Sequence, residues 1–191
     1  MLSVVAAFLR ILAGAMLSLS AAAVTIAADQ LVKIAIIDRV ALHDRVPVLG
    51  NFLRLTNIRN SGAVFGVMKG AGSYFTLFSI VAAVVLVVVL FFARKSSTLV
   101  KVSLGMVLGG ALGNLIDRLR FGAVVDFLDV GFGEAARWPC FNIADAAITV
   151  GVVLLIGNAL RMSGSETSNE GDEVENQERY QGEDRQVSER A

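Results

Sequence analysis

The chain has 191 residues, and its composition excludes an ordinary soluble domain. Hydrophobic residues make up 55% of it and charged residues 18%, with a mean hydropathy of +0.66, whereas soluble domains carry about 25% charged residues. Its 17 basic and 17 acidic residues cancel to a formal charge of zero. A single cysteine excludes an internal disulfide, and one His with one Cys leaves too few ligands for a structural zinc site. These numbers favour a multi-pass membrane protein.

The zero net charge hides a division of the chain into two parts. Residues 163–191 contain nine acids and three bases and carry −6, so residues 1–162, with eight acids and fourteen bases, carry +6. The tail has almost no large apolar residues to bury, which predicts disorder. We therefore predict a membrane domain over residues 1–162 and a disordered acidic tail over residues 163–191. The basic body is suited to contact with anionic lipid headgroups.

Four apolar stretches predict four transmembrane helices, because each approaches the length needed to cross a bilayer core of about 30 Å. The third stretch is short, and it can cross only if its helix continues through Asp117 and Arg118. The first also resembles a cleaved signal peptide, but it is long for one and three spans follow it, so we expect an anchor. The stretches are Ile11–Ala28, Gly70–Ala93, Val102–Ile116 and Phe141–Leu160.

An even number of spans puts both termini on one side of the membrane and the loops 29–69 and 117–140 on the other. Asp29 closes the first span, Asp117 closes the third, and Asp145 lies one turn inside the fourth, so these residues gather near one face. The Lys and Arg distribution does not decide which face this is. The loop 29–69 is too long for a simple connection, and its β-prone segment Phe52–Ile58 predicts a small sheet on the membrane surface.

The polar residues at this face form a repeated pattern. Asn114 and Asp117 are three residues apart on one helix face, and Asn142 and Asp145 repeat that spacing. Between them Asp126 stands in an apolar run. Ionised side chains within a membrane protein face its interior and are candidates for function. Three Asp and two Asn converging near one face therefore predict a functional site.

The residues alone leave several functions open. Two close carboxylates share one proton and can activate water toward an amide, as aspartic proteases do, or they can relay protons in a transporter. They can also hold helices together in a structural assembly factor, with Arg118 neutralising one of them. Nucleophilic catalysis has little support, because His43 reads as a solvated loop residue and Cys140 as a small buried one without a nearby His.

Five motifs, in this order, resemble those of the lipoprotein signal peptidase (signal peptidase II) family. The resemblance covers about residues 8–161, and the run from Gly109 to Asp145 is specific as a set. The motifs are Asp29-Gln-Leu-Val-Lys33, Asn60-Ser-Gly-Ala-Val-Phe65, Gly109-Gly-Ala-Leu-Gly-Asn-Leu-Ile-Asp-Arg118, Val124-Val-Asp-Phe127 and Phe141-Asn-Ile-Ala-Asp145.

The resemblance implies a membrane all-α bundle of four transmembrane helices with a small extracytoplasmic β-cradle, in a bacterial inner membrane. Both termini would be cytoplasmic, and the active site would lie near the periplasmic face. The enzyme would be an aspartic endopeptidase that cleaves diacylglyceryl-modified prolipoproteins just before the lipidated Cys. It implies no cofactor, no metal and no nucleic acid, and a monomer would suffice.

The resemblance also assigns roles to individual residues. Asp126 and Asp145 would form the catalytic dyad, and Asn60 would contact the substrate from the cradle. The other residues would bind substrate or support the dyad: Gly62, Asn114, Asp117, Arg118, Asn142, Asp29 and Lys33.

Overall fold

The structure, a computed structural model, describes residues 2–62 and 72–162, with the backbone alone described for residues 2–12 and residue 72. The end of the predicted loop 29–69 and the predicted disordered tail 163–191 lie outside the described residues. The chain divides into two compact units, Met1–Leu154 and Leu155–Ala191, and residues 155–162 are the described part of the second. The domain boundary after residue 162 stays a prediction.

Four helices in the described residues are long and apolar enough to cross a membrane, as predicted. The expectation that Asp29 closes the first span was wrong, because that helix continues to Arg39. Asp29 is accommodated inside the helix because Lys33, one turn later, pairs with it. The third helix does continue through Asp117 and Arg118, so it is not too short. The helices are α1 (Leu2–Arg39), α2 (Gly72–Phe92, extended by a 3₁₀ turn Ala93–Lys95), α3 (Thr98–Phe121) and α4 (Ile143–Met162).

A four-stranded antiparallel sheet joins the two loops at one end of the helices. Its second strand confirms the strand predicted around Phe52–Ile58. The third strand was not predicted, because it is buried on both faces and so lacks the alternation that marks a half-exposed strand. Helices and sheet together confirm the predicted fold class. The strands, in spatial order, are β1 (Arg45–Leu49), β2 (Leu53–Asn60), β3 (Val124–Phe132) and β4 (Ala136–Arg137).

A small apolar core fastens the sheet to the helices. Phe127 of β3 is buried against Ile36 and Val40, near the end of α1. Phe141, just before α4, exchanges backbone hydrogen bonds with Leu128 of β3, at 2.8 and 3.1 Å. Because β3 thus lies beside the start of α4, Asp126 is brought close to the first turn of that helix.

Glycines allow α3 to approach its two neighbours closely. A Cβ on Gly109 would lie 2.6 Å from the carbonyl oxygen of Ala22 in α1, and one on Gly110 would meet the carbonyl oxygen of Ala144 in α4. The carbonyl groups of Ala22 and Ala144 cannot move aside as the end of a flexible side chain could, so positions 109 and 110 accept only glycine. Close approach of helices through small residues is typical of membrane bundles.

Replacing Gly109 by alanine should destabilise the protein. Alanine normally improves a helix by about 0.5–1 kcal/mol over glycine, but overpacking here should cost about 1–3 kcal/mol. Thermal unfolding in detergent measures the change. Gly157→Ala is the matched control, since a Cβ there meets nothing within 4 Å. Equal unfolding temperatures for the two variants would contradict this packing.

Candidate active site

Asp126 lies on strand β3 and is 2% exposed. Its Oδ2 accepts a hydrogen bond from Asn60 Nδ2 and its Oδ1 one from Asn142 Nδ2, each at 2.8 Å. Burial raises the pKa of Asp126 to about 6; the charge of Asp145 adds to this rise, and the two amide donors oppose it. The apolar run that contains Asp126 is therefore a strand within the loop 117–140 and not part of a membrane-spanning helix.

Asp145 stands in the first turn of α4, in a reciprocal capping arrangement. The backbone N–H of Asp145 donates to Asn142 Oδ1 at 2.9 Å, and the backbone N–H of Asn142 donates to Asp145 Oδ2 at 3.3 Å. This is the geometry of a capping box, in which the residue before a helix and its third residue satisfy each other's free N–H groups. The Asn-x-x-Asp spacing thus serves the start of the helix as well as the site.

Two asparagine amides connect Asp126 and Asp145. Asn114 of α3 donates through Nδ2 to Asp145 Oδ1 at 2.8 Å. Its Oδ1 accepts from Asn142 Nδ2 at 3.1 Å, and Asn142 Nδ2 also donates to Asp126. The two carboxylates are therefore joined through Asn114 and Asn142, which restricts the orientation of both.

A buried cluster of charges supports this pair. Lys33 is buried, with 1% of the residue exposed. Its Nζ lies 2.8 Å from Asp29 Oδ2 and 2.8 Å from Asp117 Oδ2. It also donates to Asn114 Oδ1 at 3.2 Å, so the other end of that amide must present its N–H to Asp145. Lys33 is thus linked to the carboxylate pair through one side chain.

The two carboxylates of this cluster hold the backbone next to the site. Asp29 Oδ1 accepts from the N–H of Ala144, at 2.9 Å, and Asp117 Oδ2 accepts from the N–H of Val125, at 3.0 Å. Ala144 precedes Asp145 and Val125 precedes Asp126. Each supporting carboxylate therefore fixes the residue before one member of the pair.

The structure places the remaining predicted residues at different distances from the pair. Asn60 contacts Asp126 directly, and its Oδ1 accepts from the N–H of Gly62 at 2.9 Å. Gly62 has φ +77°, and a Cβ there would lie 2.7 Å from the Phe75 ring. Arg118 makes a hydrogen bond of 3.5 Å to the carbonyl oxygen of Asn114 and, within the described ranges, no ion pair.

Lys33, and not Arg118, pairs directly with Asp117. Arg118 still places a positive charge near Asp145, Asp126 and Asp117, without an ion pair to any of them within the described ranges. Sequence reasoning also missed Gln30, whose Nε2 donates to Asp117 Oδ1 at 3.0 Å and to the carbonyl oxygen of Gly113 at 3.2 Å. Its position inside the Asp29–Lys33 motif was the available indication.

His43 and Cys140 had little support from the sequence as nucleophilic catalysts. His43 is exposed, as predicted for a solvated loop residue, whereas Cys140 is half-buried instead of buried. Burial raises the pKa of the Cys140 thiol. Among residues 2–62 and 72–162, no group of three or more His, Cys, Asp or Glu side chains is arranged to hold a metal ion.

Asp145 opens onto a cavity of about 390 Å³ at the sheet-bearing end of α4. The other walls are mostly apolar and come from Trp138, Phe141, Ala146, Thr149 and Val150. One carboxylate of the pair is thus reachable from outside, while the other is covered by the sheet. Four membrane-spanning helices with such a pair at one end define a multi-pass membrane protein with a site suited to acid–base hydrolysis.

Comparisons with known proteins identify the family. The family model described as Signal peptidase (SPase) II matches residues 21–161. The lipoprotein signal peptidase of Syntrophus aciditrophicus is 44% identical over 67% of this chain and 82% of its own. That of Burkholderia mallei is 47% identical over 70% and 81%. The chain belongs to the signal peptidase II family of peptidases, which confirms the resemblance found in its motifs, and it is a multi-pass bacterial membrane protein.

The fold agrees with solved structures as well. A bacterial membrane enzyme solved in meso at 1.9 Å superposes with a TM-score of 0.66 and is 34% identical, over 75% of this chain and 92% of its own. A related structure at 2.3 Å gives the same TM-score and identity over 76% and 88%.

Replacing Lys33 by methionine should strongly destabilise the protein, because it leaves two buried carboxylates facing each other without a cation. Breaking a buried ion pair in this way costs about 3–5 kcal/mol. The measurement is the free energy of unfolding in detergent, with the exposed Lys95→Met as control. Adding Asp29→Asn and Asp117→Asn to Lys33→Met should restore part of the loss. Failure of these additions to restore any stability would contradict the assignment of an electrostatic cluster.

Asp126 should gain a proton when the pH falls from 7 to 5, since burial raises its pKa from 3.8 to about 6. Infrared difference spectroscopy should then show a protonated carboxyl band that is absent in Asp126→Asn. Between about pH 4 and pH 6 the folded protein binds this proton and the unfolded chain does not. The contribution of Asp126 to stability therefore falls as the pH rises through that window. An identical spectrum for Asp126→Asn would refute the raised pKa.

Proposed function

We propose that this chain is the aspartic endopeptidase that removes the signal peptide from diacylglyceryl-modified prolipoproteins, cutting just before the lipidated Cys. Membership of the signal peptidase II family supports the peptidase activity, and its relatives carry the name lipoprotein signal peptidase. The observation that carries the proposal is the linkage of Asp126 and Asp145 through Asn114 and Asn142. Asp126 and Asp145 are the proposed catalytic residues.

We infer that Asp126, and not Asp145, is the member of the pair that holds the shared proton in the singly protonated form, which fills as the pH falls toward 6. Asp126 is buried on a strand and its pKa is raised to about 6. Asp145 instead stands at the N-terminus of α4, where the partial positive charge of the helix favours a carboxylate. Two interacting carboxylates with such different surroundings divide into an acid and a base.

The proposed reaction uses this division. Asp145, as the carboxylate, takes a proton from water, and the water oxygen attacks the amide carbonyl carbon. Asp126 gives its proton to the carbonyl oxygen, which avoids a free oxyanion. In the second step the C–N bond breaks: Asp145 passes its proton to the leaving nitrogen, and Asp126 recovers one from a hydroxyl of the tetrahedral intermediate. The pair returns to its starting state without a metal or cofactor.

Asn114 and Asn142 would position the acid and the base, and Asn60 would hold Asp126 from the sheet side. Gly62 supports this arrangement by donating to Asn60. The buried charges would act indirectly. Asp29 holds the backbone N–H of Ala144 and Asp117 that of Val125, and Lys33 pairs with both carboxylates. Arg118 contacts the backbone of Asn114 and would keep that turn of α3 in place.

The substrate would reach the site within the plane of the membrane, since a signal peptide and an acyl-modified cysteine are both apolar. The cavity beside Asp145 supports this route, because mostly apolar residues at the start of α4 and just before it form its lining. We propose that both termini are cytoplasmic and that the carboxylate pair lies near the periplasmic face of the inner membrane. A monomer contains the complete pair, so no second copy is required.

Asp126→Asn and Asp145→Asn should each lower prolipoprotein cleavage by roughly 10²–10⁴-fold, the range for losing a positioned acid or base. The assay is purified protein with a diacylglyceryl-modified prolipoprotein, followed by a gel shift. Asp38→Asn is the matched control, because Asp38 is exposed at the end of α1.

Normal cleavage by either dyad variant would sink the proposed mechanism. Unaltered unfolding temperatures in both variants separate loss of chemistry from loss of folding. If the wild type leaves prolipoprotein uncut but moves a solute into vesicles, the carboxylates serve proton-coupled transport instead.

A further inference from the structure

The charged residues of the described chain are separated between the two ends of the helices. The end opposite the sheet, here called the basic end, contains Arg94, Lys95 and Lys101. No acidic residue occurs anywhere in residues 70–116. The described acids all belong to the sheet-bearing end or to the carboxylate network: Asp29, Asp38, Asp44, Asp117, Asp126, Asp129, Glu134 and Asp145. Within residues 2–62 and 72–162, the basic end therefore has no carboxylate to neutralise its cations.

A second cavity, of about 210 Å³, lies at this basic end between α1, α2 and α3. Its walls are mostly apolar and include Leu19, Val87, Leu90 and Leu108. Two cations, Arg94 and Lys101, complete the lining, and both are half-buried. The cavity therefore combines an apolar interior with two positive charges.

Local packing places these two cations at the cavity. The Arg94 guanidinium lies over the Phe91 ring, 3.5 Å from its centroid. The Lys101 side chain passes close to α1 where Gly14 has no side chain, since a Cβ on Gly14 would lie 2.8 Å from Lys101 Nζ. Both cations are thus drawn inward, whereas Lys95 is exposed and does not line the cavity.

We propose that this cavity binds one anionic phospholipid, with its phosphate at Arg94 and Lys101 and an acyl chain between the helices. Half-buried cations without a carboxylate partner favour an external anion, and basic residues at a membrane surface attract anionic lipids. Lys101 is also in the first turn of α3, where the helix N-terminus adds partial positive charge. The apolar walls match the hydrocarbon of the same ligand.

A segment of the peptidase substrate fits this cavity less well. The N-terminal region of a signal peptide is positively charged, so Arg94 and Lys101 would repel it. The lipid proposal therefore concerns a different site from the carboxylate pair, at the opposite end of the helices, and goes beyond the proposed function.

Native mass spectrometry of the full chain tests the proposal, with equal amounts of phosphatidylglycerol and phosphatidylcholine that carry the same acyl chains. One phosphatidylglycerol should be retained in preference to phosphatidylcholine. Arg94→Gln and Lys101→Gln should each lower that preference roughly fivefold, as expected for about one cation at an anionic lipid. Lys95→Gln, the matched control, should leave it unchanged.

Gly14→Leu separates a built site from general surface charge, because it fills the cavity and displaces Lys101 without changing the net charge. The preference for phosphatidylglycerol should fall in this variant also. Equal retention of the two lipids by the wild type would overturn the proposal, and so would an equal effect of Lys95→Gln and Arg94→Gln. Two further results would also overturn the proposal. One is an undiminished preference for phosphatidylglycerol in Gly14→Leu, and the other is crosslinking of Lys101 to a protein carboxylate in place of lipid.

Discussion

The structure depends on one buried ammonium group. Lys33 lies between Asp29 and Asp117, and all three residues are at most 1% exposed. One positive charge faces two negative ones. The N–H of Ala144 satisfies Asp29 Oδ1 and the Gln30 side chain satisfies Asp117 Oδ1, while the N–H of Val125 donates to Asp117 Oδ2 beside Lys33. Buried ions are tolerated when partners surround them in this way. Every element that carries a proposed catalytic residue is attached to this cluster.

The cluster explains how a carboxylate on a strand and one on a helix keep a fixed relation. Asp126 belongs to the sheet and Asp145 to α4. The packing of Phe127 alone would leave the sheet and the helix free to shift relative to each other. Asp117 and Asp29 hold the residues just before each carboxylate. Asn114 then links Lys33 to Asp145. The geometry of the pair is thus determined by polar contacts within an otherwise apolar protein.

The different surroundings of the two carboxylates follow from the same architecture. A strand covered on both faces excludes water from Asp126, whereas the first turn of a helix offers free N–H groups to Asp145. Under the proposed mechanism, two residues of the same type would thus serve as acid and base. At the opposite end of the helices, the described residues offer no carboxylate to Arg94 and Lys101, so the two ends of the described helices differ sharply in charge.

The sequence by itself determined the class of the protein, the four spans and the polar residues that the structure brings together. Apolar runs, loop parity and Asn-x-x-Asp spacing are local properties, and they placed Asn114, Asp117, Asn142 and Asp145 near one face before any contact was known. The motifs also indicated the family. What local pattern did not reveal was strand β3, because burial on both faces removes the alternation by which a strand is recognised.

Only the tertiary structure decided which groups pair. Lys33 and Asp117 are 84 positions apart, and Arg118 is the nearer cation in sequence, yet the approach of α1 to α3 gives the ion pair to Lys33. Side-chain partners of this kind depend on how helices pack, and packing is set by contacts between distant residues such as Gly109 and Ala22. For that reason the sequence predicted which polar residues gather at one face, while only the fold showed which of them contact each other.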